Sequence, residues 1–406
     1  MLGAANSNSK MTRFAAFLTL AFSPALYAAE PIATPVSPTI AMFQKWQMQD
    51  AGKAVDKVAT LGESRVQFCI TLLSEIDAQF VPQNFGLLRE RRDHGEGNEF
   101  YPSDEALRAE SKGWWVKAFA RAVGHRLEIA VLLHLNSRGP IHHWRNDFDF
   151  DPLTPLAGVT YEDALVRPVL EALEEAVPAD WPVQVSLQGE MGRTVFAHPQ
   201  SWLTLLHRVK KRGRLTRAVF GVSFNYELAS GQVMPGDPQR ETLKKLWDAC
   251  DFIGVSMYPK VSVPPRAEDL VFNVGRFAGE FSGLGCALPE GKPLHFVEFG
   301  LGGGGKSAEG AYSMPALTAE DAARAAFKGT DKPEENPWAV PALAELRRDT
   351  HAALCDFLAA PMVRHPVRAA YLWSYGSWDV HGIADPAFAD ERIVRRLHEH
   401  NRGRKR

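Results

Sequence analysis

Eight short apolar runs, rich in Val, Ile and Phe and separated by amphipathic helical stretches, constrain this chain more than any other feature. The strand candidates are residues 39–43, 65–73, 127–135, 183–189, 218–224, 252–257, 294–299 and 367–373. Between them the spacing predicts helices over 44–61, 104–123, 161–176, 200–211, 237–249, 266–281 and 340–359. Parallel neighbours need a crossover, usually a helix, and strands apolar almost throughout are buried on both faces. Eight such units are the number that closes a (β/α)8 TIM barrel. A doubly wound open sheet with an extra domain is the competing arrangement.

Loop lengths favour the barrel. Helix-to-strand links are mostly short, whereas residues 76–103, 136–160 and 300–339 make long strand-to-helix links. In a barrel those links all emerge on the C-terminal face, where active sites are built. His134, Glu190, Asn225, Tyr258, Glu298 and Trp373 each fall at the C-terminal end of a different strand candidate. The run Gly302–Gly305 lies in the longest link and reads as a hinge or lid. No repeat or linker divides residues 30–406, so one catalytic domain is expected there.

Charge excludes some partners. Forty-six basic residues against 48 acidic ones leave a net charge of −2, which provides no general field for nucleic acid or an anionic membrane. Only residues 392–406 run basic, and they read as a solvated tail. At the other end, Lys10 and Arg13 precede an apolar run over residues 14–26 that closes on Ala28 and Ala29. That is the pattern of a secretory signal over residues 1–29, too short to span a bilayer and removed after export. The mature chain is expected to begin near Glu30 and to work in the periplasm or outside the cell. Of the four cysteines, Cys250 and Cys286 fall in helix-to-strand links where an oxidising compartment could join them, and Cys69 and Cys355 read as buried thiols.

The chemistry centres on two carboxylates. Glu190 stands in Leu187-Gln188-Gly189-Glu190-Met191-Gly192, and Glu298 in His295-Phe296-Val297-Glu298-Phe299-Gly300. One glutamate after an apolar strand usually marks a strand that has just met solvent. Two of them, on strands four and seven of eight, would face one another across the barrel mouth. Paired carboxylates flanking a substrate can divide the roles of acid and nucleophile. Competing chemistries lack support. No Gly-x-Ser-x-Gly elbow is present, and Lys306-Ser307 lacks phosphate-loop spacing after the glycines. His134, His142 and His143 with Asp147, Asp149 and Asp151 invite a metal, but adjacent histidines direct their rings apart and no His-x-x-x-His spacing occurs. No metal or cofactor is expected, and the acidic stretch 147–151 reads as solvated loop.

The ordered segments resemble clan A of the glycoside hydrolases, retaining (β/α)8 enzymes. Within it they are most similar to the bacterial β-mannanase group, with β-1,4-galactanases as near relatives. The likeness is carried by Pro102-Ser103-Asp104-Glu105-Ala106-Leu107, Leu133-His134-Leu135-Asn136, Gly189-Glu190 and Val222-Ser223-Phe224-Asn225-Tyr226-Glu227. It continues through Phe252-Ile253-Gly254-Val255-Ser256-Met257-Tyr258-Pro259, Phe296-Val297-Glu298-Phe299-Gly300 and Tyr371-Leu372-Trp373-Ser374. The resemblance implies Glu190 as acid/base, Glu298 as nucleophile, Tyr258 as its hydrogen-bonding partner and Trp373 as the floor under the bound sugar. His134, Asn136, Arg138, Asn225 and Glu227 are candidate substrate-binding groups, with Trp144, Trp378 and Tyr375 as candidate aromatic platforms. A β-linked poly- or oligosaccharide is the expected partner. One position departs from the pattern: the clan commonly has Asn before the acid/base, bonded to the sugar 2-hydroxyl, and here it is Gly189. Gln188, Asn225 or a loop residue would have to replace that contact. A catalytically weak sugar-binding barrel is the runner-up reading, and a metal-dependent polysaccharide deacetylase the third.

Overall fold

The computed structural model of the chain describes residues 34–88, 100–138, 143–359 and 363–403. The expected leader and His142 lie outside the described residues. The eight apolar runs form β1 (Val36–Met42), β2 (Arg65–Glu75), β3 (Glu128–Arg138), β4 (Val183–Ser186), β5 (Ala218–Asn225), β6 (Phe252–Met257), β7 (Leu294–Phe299) and β8 (Val367–Leu372). Each pairs in parallel with the next, and β1 pairs in parallel with both β2 and β8, so the sheet closes into a (β/α)8 barrel. Closure explains the unbroken apolar runs, because one face of each strand fills the barrel and the other lies under helices.

The helices are α1 (Lys45–Thr60), α2 (Glu105–Gly124), α3 (Arg167–Ala176), α4 (Gly192–Ala197), α5 (Pro199–Lys211) and α6 (Asp237–Ala249). They continue as α7 (Ala267–Gly283), α8 (Ala319–Ala323), α9 (Pro341–Ala359) and α10 (Glu391–Gly403). Start signals act locally: the Asp104 carboxylate accepts from Leu107 N at 2.7 Å, and Thr160 Oγ1 accepts from Asp163 N at 2.9 Å. Both satisfy amide donors that a first helical turn leaves open.

As far as the described residues reach, to Gly403, the basic end is not a solvated tail. Ile393 and Leu397, four residues apart, give α10 one apolar stripe that joins the main core, while its charges face outward. Asn401 then exchanges two hydrogen bonds with the backbone of Val36, at 3.0 and 2.8 Å, and so secures β1. Leu397→Ala is expected to cost about 2–5 kcal/mol, read as a lowered denaturation midpoint.

One further expectation changes, and one open question is answered. Gly302–Gly305 is buried and packed: a Cβ at Gly302 would overlap the Lys328 carbonyl, and Gly302 N and Gly304 N bond Ala326 O and Lys328 O at 2.9 and 3.0 Å. Glycine is needed there for two chain segments to touch, so the run is a crossing and not an open hinge. Cys250 and Cys286 are both buried and unjoined.

A detail of β7 positions the site. Relative to β6, Val255 pairs with Phe296 but Ser256 with Glu298, so Val297 is an extra residue on β7. This bulge breaks the alternation of faces. Val297 packs inside the barrel with Cys69, Leu132 and Trp373, and its neighbour Glu298 also reaches interior groups. Phe296 and Phe299 both turn outward into the main core.

Candidate active site

The strand before Glu190 ends earlier than its sequence suggests, at Ser186, and a tight turn follows. Ser186 Oγ donates to Gln188 O at 2.7 Å, Gln188 Nε2 donates to Ser223 O at 2.7 Å, and Glu190 N donates to the same carbonyl at 3.1 Å. Gln188 Oε1 accepts from Met191 N at 2.8 Å. This web holds Glu190 at φ +57°, a left-handed conformation that costs an ordinary residue about 1–2 kcal/mol. Such a conformation persists where its surroundings over-determine it, as they do at functional sites. Because the Gln188 amide is spent on backbone, it is not free to replace the contact missing at Gly189.

Glu190 and Glu298 are only 6% and 3% exposed. Asn225 Nδ2 donates to Glu190 Oε1 at 3.0 Å, and Arg145 Nη1 stands 3.2 Å from Glu190 Oε2. Across the barrel, Tyr258 Oη donates to Glu298 Oε2 at 2.7 Å. His134 Nε2 lies 3.2 Å from Glu298 Oε1 without closing a hydrogen bond. The groups come from β3, β5 and β7 and from the links after β3, β4 and β6.

Electrostatics separates the two acids. Burial raises the Glu190 pKa, the negative charge of Glu298 raises it further, and Arg145, His134 and Asn225 act in the opposite direction. For Glu298 burial is again the largest cause, but Arg145 and the Tyr258 hydroxyl favour its charged form. Glu298 therefore ionises first and Glu190 retains the proton, an arrangement suited to one nucleophile and one acid. Burial and the Arg145 cation push His134 well below its usual value, so its imidazole is neutral.

The remaining candidates line the mouth or support it. Trp373 packs with Cys69, Leu132 and Val297 just past β8, its ring 6.1 Å from that of His134 and 5.8 Å from that of Phe43. Tyr375 packs edge-on against Phe43, and Trp144 stands out at 37% exposure. Asn136 Oδ1 accepts from Arg145 Nε at 3.0 Å, so it orients the arginine. Arg138 sits 4.5 Å over the Phe100 ring and 3.4 Å from Glu75, at the outer rim. Glu227 is ion-paired with Lys260 at 2.5 Å, and its backbone N–H donates to Oδ1 of Asn225, the partner of Glu190, at 2.9 Å. Trp378 donates its indole N–H to Ala326 O at 3.3 Å and packs against the cluster of Cys69, Leu132, Val297 and Trp373.

Arg145 is the residue that sequence reasoning missed. It lies in a long link without periodicity, and only its neighbours locate it. Buried Asn146 accepts from Gly192 N at 2.8 Å and donates to Leu228 O at 2.6 Å, tying this link to the links after β4 and β5. The acidic stretch is likewise not solvated loop. Phe148 and Phe150 are buried between its aspartates, Asp149 pairs with His198 at 2.9 Å, and Asp151 accepts from Ser201 at 2.6 Å. Alternating Asp and Phe give that strip one anchored and one polar side. Among the described residues no group of three or more His, Cys, Asp or Glu side chains converges as a metal site, and no helix is long and apolar enough to cross a membrane. Arg145→Met is expected to raise both carboxyl pKa values, because the cation lowers each of them. Titration of 13C-labelled glutamate carboxyls checks this, and unmoved resonances would show that solvent already screens the cation.

No family model matches the sequence, and no curated protein matches it. Solved structures do share its fold. A GH113 β-mannanase from Alicyclobacillus acidocaldarius, in complex with ManMIm, is 13% identical with a TM-score of 0.50, over 92% of this chain and 100% of that one. A GH5-4 broad-specificity endoglucanase from an uncultured bacterium is 12% identical with a TM-score of 0.45, over 91% and 94%. The catalytic domain of a mannanase from Streptomyces sp. SirexAA-E is 12% identical with a TM-score of 0.40, over 95% and 98%. At 13% identity the likeness to the first of these is one of fold: this chain has the (β/α)8 barrel of that enzyme.

Proposed function

We propose that the protein is an exported, retaining glycoside hydrolase that cleaves β-linked hexose poly- or oligosaccharides by double displacement. The observation that carries this reading is the pair of buried carboxylates in unlike surroundings. Burial raises both carboxyls, Arg145 and the Tyr258 hydroxyl favour the charged form of Glu298, and the charge of Glu298 raises Glu190 further. In the first step Glu298 attacks the anomeric carbon while the bond to the leaving oxygen breaks, and Glu190 gives that oxygen its proton. In the second, Glu190 takes a proton from water, whose oxygen displaces Glu298 from the same carbon and restores its carboxylate. Trp373 offers an apolar ring to the C–H face of the sugar. Export rests on the N-terminal charge and apolar pattern, and mass spectrometry of secreted protein beginning near Glu30 checks it.

The test is reducing-sugar release from β-mannans, galactans, glucans and bacterial exopolysaccharides, with and without a chelator. β-Mannan heads the panel because β-mannanases are among the proteins that share the barrel. Proton NMR of the first product then reads the anomer. Chelator-resistant release of the retained anomer supports the proposal, and the inverted anomer would rule out Glu298 as nucleophile. Silence on every substrate, with sugar binding intact, selects the binding barrel, whereas activity lost only to the chelator selects a metal-dependent hydrolase.

A further inference from the structure

We infer that His134 is a positioning residue for Glu298, and that residue 189 is glycine because the His134 ring occupies the space a side chain there would need. The kinetic half of this rests on the glycosidase reading; the packing half does not. A Cβ added at Gly189 would overlap Cδ2 and Nε2 of His134 and come within 2.9 Å of Leu132 Cδ1. An asparagine at 189 and the imidazole therefore exclude one another. The missing amide is thus the steric consequence of a different polar group brought in from β3.

That group is aimed at the proposed nucleophile. His134 is fully buried, and its Nε2 and Glu298 Oε1 lie 3.2 Å apart without closing a hydrogen bond; the buried Ser256 hydroxyl, likewise unpartnered, is another donor that favours the charged form of Glu298. Two buried, unsatisfied polar atoms side by side are costly unless they serve each other or a bound group. Nδ1 faces Cys69 Sγ at 3.3 Å. Burial keeps that thiol protonated and able to donate to Nδ1, and in that tautomer the imidazole proton lies on Nε2, toward Glu298. A neutral donor there orients the carboxylate and favours its charged form without adding a second positive charge beside Arg145.

Four variants test this: His134→Phe, His134→Gln, Gly189→Asn, and Gly189→Asn combined with His134→Gly. By thermal unfolding, Gly189→Asn is expected to lower the midpoint, and adding His134→Gly to recover most of that loss. Strictly additive losses would overturn the packing half. In steady-state kinetics His134→Phe, which fills the space without a donor, is expected to lower kcat about 10- to 100-fold with little change in KM. The acid limb of its pH profile should move upward, since the charged form of Glu298 loses a donor. His134→Gln should restore most of both. Wild-type kcat and an unmoved acid limb in His134→Phe would overturn the positioning role. So would His134→Gln behaving no better than His134→Phe. If the wild type turns over no glycoside, 13C titration of Glu298 replaces the kinetics. A raised Glu298 pKa in His134→Phe then supports the role and an unchanged one overturns it, while the glycosidase reading fails separately.

Discussion

Glu298→Gln is expected to reduce kcat by at least about 10⁴-fold, equivalent to about 5.5 kcal/mol of transition-state stabilisation, on every substrate the wild type cleaves. The amide is isosteric and can still accept from Tyr258 Oη, so the loss reports the nucleophile and not a collapsed site. In Glu298→Ala, added azide should restore turnover by attacking the anomeric carbon directly, with an inverted glycosyl azide as product. A retained azide, or a Glu298→Gln enzyme within tenfold of wild type, would remove Glu298 from the mechanism. The same variant carries a stability expectation. Both buried carboxyls have folded pKa values above the ordinary one, so protonation favours the fold. That contribution is fully present below the ordinary carboxylate pKa and is lost as pH rises through the raised values. Above that window the ionised side chain opposes folding, and Glu298→Gln should unfold at a higher temperature than wild type. Activity and stability then move in opposite directions at one residue.

Glu190→Gln is expected to lower kcat/KM by about 10²–10⁴-fold on polysaccharide, whose leaving oxygen needs a proton, and far less on aryl glycosides with acidic leaving groups. The wild-type profile should be bell-shaped. Its acid limb follows ionisation of Glu298, and its alkaline limb follows loss of the Glu190 proton, with both apparent values belonging to the coupled pair. Burial and the Glu298 charge place the alkaline limb above the ordinary carboxylate range. In Glu190→Gln, measured on an activated substrate, that limb should vanish while the acid limb remains. Equal losses on both substrate classes, or an alkaline limb that survives, would assign the proton to another group.

Much of this architecture was legible because strand period, helix caps and loop lengths are local. β6, β7 and α6 begin and end where the residues themselves mark their limits. The positions of Glu190, Glu298, Tyr258 and Trp373 could be read because each follows an apolar run by a residue or a few. Arg145 could not, since a cation in a long link carries no periodic signal and its approach to Glu190 depends on Asn146 binding two other links. The bulge at Val297 was equally hidden: a register shift appears only when the strand is laid beside its neighbours. α10 was misjudged because its charge outweighs two apolar residues in composition, whereas burial counts only the face those two occupy.

By itself, the sequence determined the closed barrel, its rim of long links and the two carboxylates that those links surround. Each of these follows from hydrophobic burial acting over one strand or helix at a time. Tertiary structure alone decided what the carboxylates can do. Proton affinity in a buried site is set by charges and donors within a few ångströms, and these arrive from residues far apart in the chain. Arg145, Asn225, His134 and Tyr258 converge on Glu190 and Glu298 only once the barrel has closed. The glycine at 189 likewise acquires its meaning only when the imidazole of His134 is seen in the space beside it.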